Sequence, residues 1–219
     1  MSYISPKKKI QKICDFVFSQ YPQAECSLEF CGDPFKLLVM SRLSAQCTDA
    51  RVNIVSKELF AVFPDVYSMA NADVSEIESI VRPCGLFRTK AKSIKEMSVT
   101  LVEKFGGEVP QDMESLLTLP GVGRKIANLM RGDCFGMGDI VADTHCIRLT
   151  NRFGLCNSEN PLAVERALDG LVPKDIQSAY CHRMVYFGRE YCKAQNPKCG
   201  ECPLKEKYPE VCVYNIKKK

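Results

Sequence analysis

Leu119-Pro120-Gly121-Val122-Gly123-Arg124-Lys125 is followed by Val141-Ala142-Asp143-Thr144-His145, whose aspartate stands eighteen residues after the lysine. The first stretch sets two glycines ahead of a helix start and a lysine just inside it. Such a hairpin offers backbone N–H groups to a phosphate with no side chain in the way, and the helix dipole favours the negative charge. The second stretch supplies a carboxylate immediately before another helical run. Read singly, each has an ordinary role: Pro-Gly-x-Gly is a turn, Lys125 a solvated helix lysine, Asp143 an N-cap. Together, a phosphate grip, an amine and a carboxylate point to nucleophilic chemistry on a nucleic-acid backbone.

Around this segment the periodicity is helical almost throughout. Val52, Val55, Leu59, Phe60 and Phe63 recur at the steps of an amphipathic helix. Asp73 with Glu76 reads as a capping box opening a short helix that Gly85 closes. A longer helix is expected from about Thr89 to Phe105, ended by Gly106-Gly107. Asn160-Pro161 starts another, and Asp175 is expected to cap one reaching toward Cys192. No period-two alternation and no internal repeat is found, so the fold class is all-α.

The 219 residues suffice for one large domain or two small ones, and 46% hydrophobic content is ordinary for a folded chain. The N-terminus lacks the apolar core of a signal peptide, and no apolar run would span a bilayer. The chain therefore reads as soluble, intracellular and cytoplasmic. A net charge of +4 is compatible with nucleic acid without being diagnostic. Lys7-Lys8-Lys9 and Lys217-Lys218-Lys219 read as solvated tails rather than a binding stripe.

Thirteen cysteines, an odd count without an export signal, imply a reducing compartment. Nine are scattered; Cys14, Cys47, Cys134 and Cys181, for example, lie in apolar surroundings where cysteine acts as a small hydrophobe. The other four, Cys192, Cys199, Cys202 and Cys212, form C-x6-C-x2-C-x9-C. Four thiolates with one tight pair suit a metal that prefers sulfur, either structural zinc or a cubane iron–sulfur cluster. The loop between the first two carries Lys193 and Lys198, which an ordered loop would present to phosphates. Either metal would be structural.

With these parts assembled, the chain resembles the endonuclease III family of DNA glycosylases, within the helix–hairpin–helix superfamily. The resemblance runs from about Leu37 to Cys212. It is carried by Leu43-Ser44-Ala45-Gln46-Cys47-Thr48-Asp49, Gly85-Leu86, the hairpin, Asp143-Thr144-His145 and the four cysteines. It implies a six-helix domain over residues 27–139 that includes the hairpin (about 113–132). A second, discontinuous domain of residues 1–26 with 140–219 would hold a [4Fe–4S] cluster in its 192–212 loop, with a DNA groove between the two. It also implies a monomeric enzyme of base excision repair, associated with the nucleoid. Its partner would be double-stranded DNA carrying damaged pyrimidines or abasic sites, from which it removes the base before cleaving the strand. The family's last cysteine gap holds five residues, whereas nine separate Cys202 from Cys212 here. The four extra residues, with Pro203 and Pro209 stiffening them, are expected to loop out.

By the same resemblance Leu86 would wedge into the base stack and Gln46 would fill the space left by a flipped nucleotide. Gly121, Val122 and Gly123 would hold the backbone near the lesion. Lys125, its cation disfavoured by the helix N-terminus and by partial desolvation, would attack C1′, and Asp143 would stabilise the cationic sugar. His145 and His182 read as structural. The rivals are a monofunctional mismatch glycosylase and a non-catalytic DNA-binding protein. The adenine-specific relative needs a carboxylate in the helix before the glutamine, where Leu37 through Thr48 contains none and position 42 is Arg42; it also lacks the lysine. Intact Lys125 and Asp143 speak against a silent binder.

Overall fold

The computed structural model describes residues 4–214, and within them every regular element is helical. The chain opens on α1 (Pro6–Gln20). There follow α2 (Pro34–Leu43), α3 (Asp49–Val62), α4 (Val66–Asn71), α5 (Val74–Val81), α6 (Phe87–Phe105), α7 (Met113–Leu117) and α8 (Arg124–Phe135). It ends with α9 (Thr144–Arg152), α10 (Pro161–Asp169), α11 (Gln177–Glu190) and α12 (Pro203–Lys207). Two units emerge: Cys26–Gly136, and the residues up to Glu25 together with those from Met137. The terminal run Lys217-Lys218-Lys219 lies outside the described residues. Among those described, no helix is long and apolar enough to cross a membrane.

The central unit is organised by α2. Phe35, Leu37, Leu38, Val39, Met40 and Leu43 are all buried, so most of this helix is enclosed by the others, with Lys36 and Arg42 reaching its edge. α6 lays Ala91, Ile94, Met97 and Leu101 into the same core at three- and four-residue steps. Its C-terminus closes on Gly106 in the left-handed conformation, as its sequence predicts. The Asp73–Glu76 capping box is present, but the helix it opens stops at Val81 rather than Gly85. Pro83 supplies no N–H for another α-helical bond, and Arg82–Cys84 tightens into a 3₁₀ turn that Gly85 ends at φ 67°.

The second unit packs α11 against α9 and α1. Phe187 on α11 meets Phe16 on α1 edge-on at 5.7 Å between centroids. Arg183 stacks its guanidinium on Phe18 at 4.0 Å and donates to the Pro22 and Ala24 carbonyls, stapling α11 to the segment after α1. Two expectations are corrected here. Asp175 lies inside the 3₁₀ turn Lys174–Ile176, and α11 begins at Gln177 with no side-chain cap. Lys7-Lys8-Lys9 is the first turn of α1 rather than a tail. Lys9 is buried, donates to the Phe153 carbonyl at 2.6 Å, and has its pKa lowered by that burial.

Candidate functional site

In the central unit, α7, the turn 118–123 and α8 form the expected hairpin. Leu119 and Val122 are buried and plug the turn into the core. The Val122 N–H is committed to the Leu119 carbonyl at 3.0 Å, so it is not an outward donor, and the expectation that Val122 contacts DNA through it is corrected. Gly121 has φ +80°, and a Cβ there would lie 2.7 Å from Arg42 Nε and 3.0 Å from Ser93 Cβ. Only glycine allows the turn to sit this close to α2 and α6. Gly123 is the N-cap of α8, and no side chain caps that end. Lys125, the second helical residue, is exposed. The desolvation expected for it is therefore not supplied by the protein alone.

Gln46 and Leu86 share an unusual backbone. Both are left-handed, at φ 54° and 47°, and both project outward, Leu86 being 57% exposed. An exposed leucine in a strained conformation is not core, and such strain is retained where the surrounding structure imposes it. The constraint comes from Lys90, a residue that sequence reasoning missed. It is fully buried, and its Nζ donates to the Leu43 carbonyl at 2.8 Å and to the Cys84 carbonyl at 2.7 Å. One ammonium thus ties the turn bearing Gln46 to the turn bearing Leu86. The sequence shows only a lysine in an amphipathic helix; burial is what distinguishes it.

In the other unit, buried Ile140, Val141 and Ala142 lead into Asp143, which caps α9 by accepting the Cys146 N–H at 2.7 Å. His145 Nδ1 lies 3.0 Å from Arg148 Nη2. A guanidinium is a donor only, so the imidazole accepts there, which fixes its tautomer. Arg148 and Arg152, four residues apart on one face of α9, both reach the Cys192 segment. Arg148 Nε donates to the Cys192 carbonyl at 3.0 Å; Arg152 Nη1 donates to the Lys193 carbonyl at 2.7 Å and to Cys192 Sγ at 3.1 Å. The Arg152 carbonyl in turn accepts the Val213 N–H at 2.9 Å, beside Cys212.

Cys192, Cys199, Cys202 and Cys212 line one cavity, whose other walls include Phe153, Phe187, Leu204 and Tyr214. The extra residues before Cys212 do not loop out. Pro203 begins the single turn α12, Leu204 is buried, and Lys12 from α1 pairs with Glu210 and lies over Tyr208. Lys193 and Lys198 are both exposed on the first cysteine loop. Burial raises the Cys202 and Cys212 thiols, and the neighbouring sulfurs raise them further, so deprotonating these two calls for a compensating cation. No group of three or more His, Cys, Asp or Glu among the described residues is arranged to hold a single metal ion. A cubane, far wider than one ion, suits thiols set around an apolar cavity.

Residues 39–174 match the profile of the HhH-GPD superfamily of base excision DNA repair proteins, and residues 192–206 match the iron–sulfur binding domain of endonuclease III. The chain is 43% identical to an endonuclease III of Bacillus subtilis over 198 residues, 90% of each chain. It is 43% identical to one of Synechocystis over 94% of each. Its fold is similar to that of a trapped covalent intermediate of an endonuclease III with DNA. That structure matches with TM-score 0.89 and 40% identity, over 96% of this chain and 97% of the other. The chain belongs to the endonuclease III family, DNA glycosylases with abasic-site lyase activity that carry a [4Fe–4S] cluster.

Proposed function

We propose that the substrate is duplex DNA carrying an oxidised pyrimidine or an abasic site, processed by a monomer in which Lys125 is the nucleophile. The observation that carries this reading is Lys125 exposed in the first turn of α8, beside an uncapped helix end. In the same reading, the unit Cys26–Gly136 is the hairpin domain and the remainder is the cluster domain, close to the 27–139 and 140–219 division expected from sequence.

Leu86 and Gln46 enter the stack as the damaged nucleotide leaves it, and their backbones need no rearrangement to do so. Gly121 and Gly123 face the phosphates. Lys125 Nζ attacks C1′, the glycosidic bond breaks, and the base departs with the bonding electrons. The Asp143 carboxylate stabilises the cationic sugar; the C1′–O4′ bond then opens to leave an O4′ hydroxyl and an imine, which acidifies C2′ so that the 3′ phosphate is eliminated. Cys192, Cys199, Cys202 and Cys212 hold the cluster, which when bound orders the loop carrying Lys193 and Lys198. Arg152 fixes both ends of that cysteine segment.

Borohydride reduces the imine to a stable amine, so a duplex with one oxidised pyrimidine is expected to give a covalent protein–DNA band, and an undamaged duplex none. No band on either a damaged or an abasic duplex would overturn the covalent mechanism. Asp143→Asn retains an N-cap acceptor and removes the charge. Catalysis is expected to fall about 10²-fold or more while stability changes by under about 1 kcal/mol. Unchanged single-turnover rates in that variant would remove Asp143 from the chemistry.

A further inference from the structure

We propose that Arg42 is a further DNA-binding residue, whose guanidinium, set against the hairpin turn, takes a backbone phosphate of the bound strand. Its side chain leaves α2 four residues before Gln46 and runs against Gly121. The Cβ that this glycine lacks would lie 2.7 Å from Arg42 Nε and 2.9 Å from its Cδ. On α6 the same Nε donates to Ser93 Oγ at 2.7 Å. The Ser93 hydroxyl directs its own proton to the Thr89 and Lys90 carbonyls, at 2.9 and 3.0 Å, which leaves a lone pair for the arginine. A guanidinium is planar, so fixing Nε sets the plane and aims the fork formed by Nη1 and Nη2. Among the described residues neither of those nitrogens has a hydrogen bond or an ion pair.

Packing alone does not call for a cation at this place. Arg42 is half-buried and burial lowers its pKa, yet no carboxylate stands by to compensate it. Residues 37–48, 82–95 and 115–128, the segments that meet around it, contain no Asp or Glu, while Arg88, Lys90, Lys92, Arg124 and Lys125 add positive charge. A methionine would fill the same space without losing hydration. The group that completes the fork is therefore an anion from outside the chain, and two parallel N–H donors match the two free oxygens of a phosphodiester. That this anion belongs to DNA rests on the function proposed above, in which Gly121 and Gly123 face the phosphates. The glycines offer neutral N–H groups; Arg42 adds charge, and with it a dependence on salt.

Binding of the cluster-loaded full chain to a duplex with an uncleavable abasic-site analogue, and to the same duplex undamaged, is measured between about 50 and 200 mM salt. Arg42→Met is expected to lose roughly tenfold in affinity at the lower salt on both, and to reduce the slope of log K against log salt by about 0.9. Arg42→Lys, which keeps the charge without the fork, should retain the wild-type slope and weaken binding less. An unchanged slope in Arg42→Met would overturn the proposal, whether affinity holds or falls, since loss at constant slope is the mark of a packing residue. Melting curves accompany both variants. Where Arg42→Met melts well below the wild type, Arg42→Lys decides: a slope as shallow as that of the methionine variant overturns the proposal. Borohydride trapping by the wild type on an oxidised duplex, run alongside, reports separately on the lysine mechanism.

Discussion

Lys125→Gln is expected to bind an abasic-site duplex with near wild-type affinity and to yield no borohydride adduct. Strand cleavage should fall by roughly 10³-fold or more. The size follows from what the amine supplies: glutamine cannot form an imine, so the route to an acidic C2′ is lost outright rather than slowed. Binding should persist, because the contacts proposed for Gly121, Gly123, Gln46 and Leu86 do not involve the amine. Lys125 is exposed, so its replacement leaves no cavity. Single-turnover cleavage and equilibrium binding on the same duplex separate the two effects. Cleavage within tenfold of wild type would place the nucleophile elsewhere.

The second large effect is on stability. Cys202→Ser is expected to lose the cluster's iron and visible absorption and to lower stability by about 4 kcal/mol or more, near 10 °C in melting temperature. Cys202 is also the residue from which α12 starts, and α12 carries buried Leu204. Removing this ligand therefore frees the packed segment that leads to Cys212. Iron content by chemical assay and a melting curve are sufficient, and a full complement of iron in the variant would remove Cys202 from the ligand set. Leu168→Ala, which opens a cavity elsewhere in that unit, should leave iron unchanged and controls for general destabilisation.

The helical class was readable because amphipathic spacing and capping residues are local. Asp73, Asn160 and Asp143 each announce a helix start that the structure contains. Helix ends were read less well where two local signals competed, as at Pro83, which stops α5 before the glycine does. The candidate site was legible where it depends on a short contiguous motif, as in the hairpin and the cysteine run. It was illegible where a distant partner gives a residue its meaning. Lys90 and Arg152 look like any helix cation until the carbonyls they meet, 47 and 41 residues away, are known. The same applies to Lys9, whose partner carbonyl is 144 residues downstream.

That last separation sets an order of events during synthesis. The core from Cys26 to Gly136 is complete in itself once residue 136 has been made. α1 is translated earlier, yet its partners include Phe187 and Glu210, the latter 198 residues later. At about 5–20 residues per second, the apolar face formed by Ile10, Ile13, Phe16 and Val17 waits roughly ten to forty seconds for its cover. A chain stalled before α11 would carry a finished hairpin unit behind an uncovered greasy helix. The nascent protein is thus most exposed to chaperones and proteases along α1.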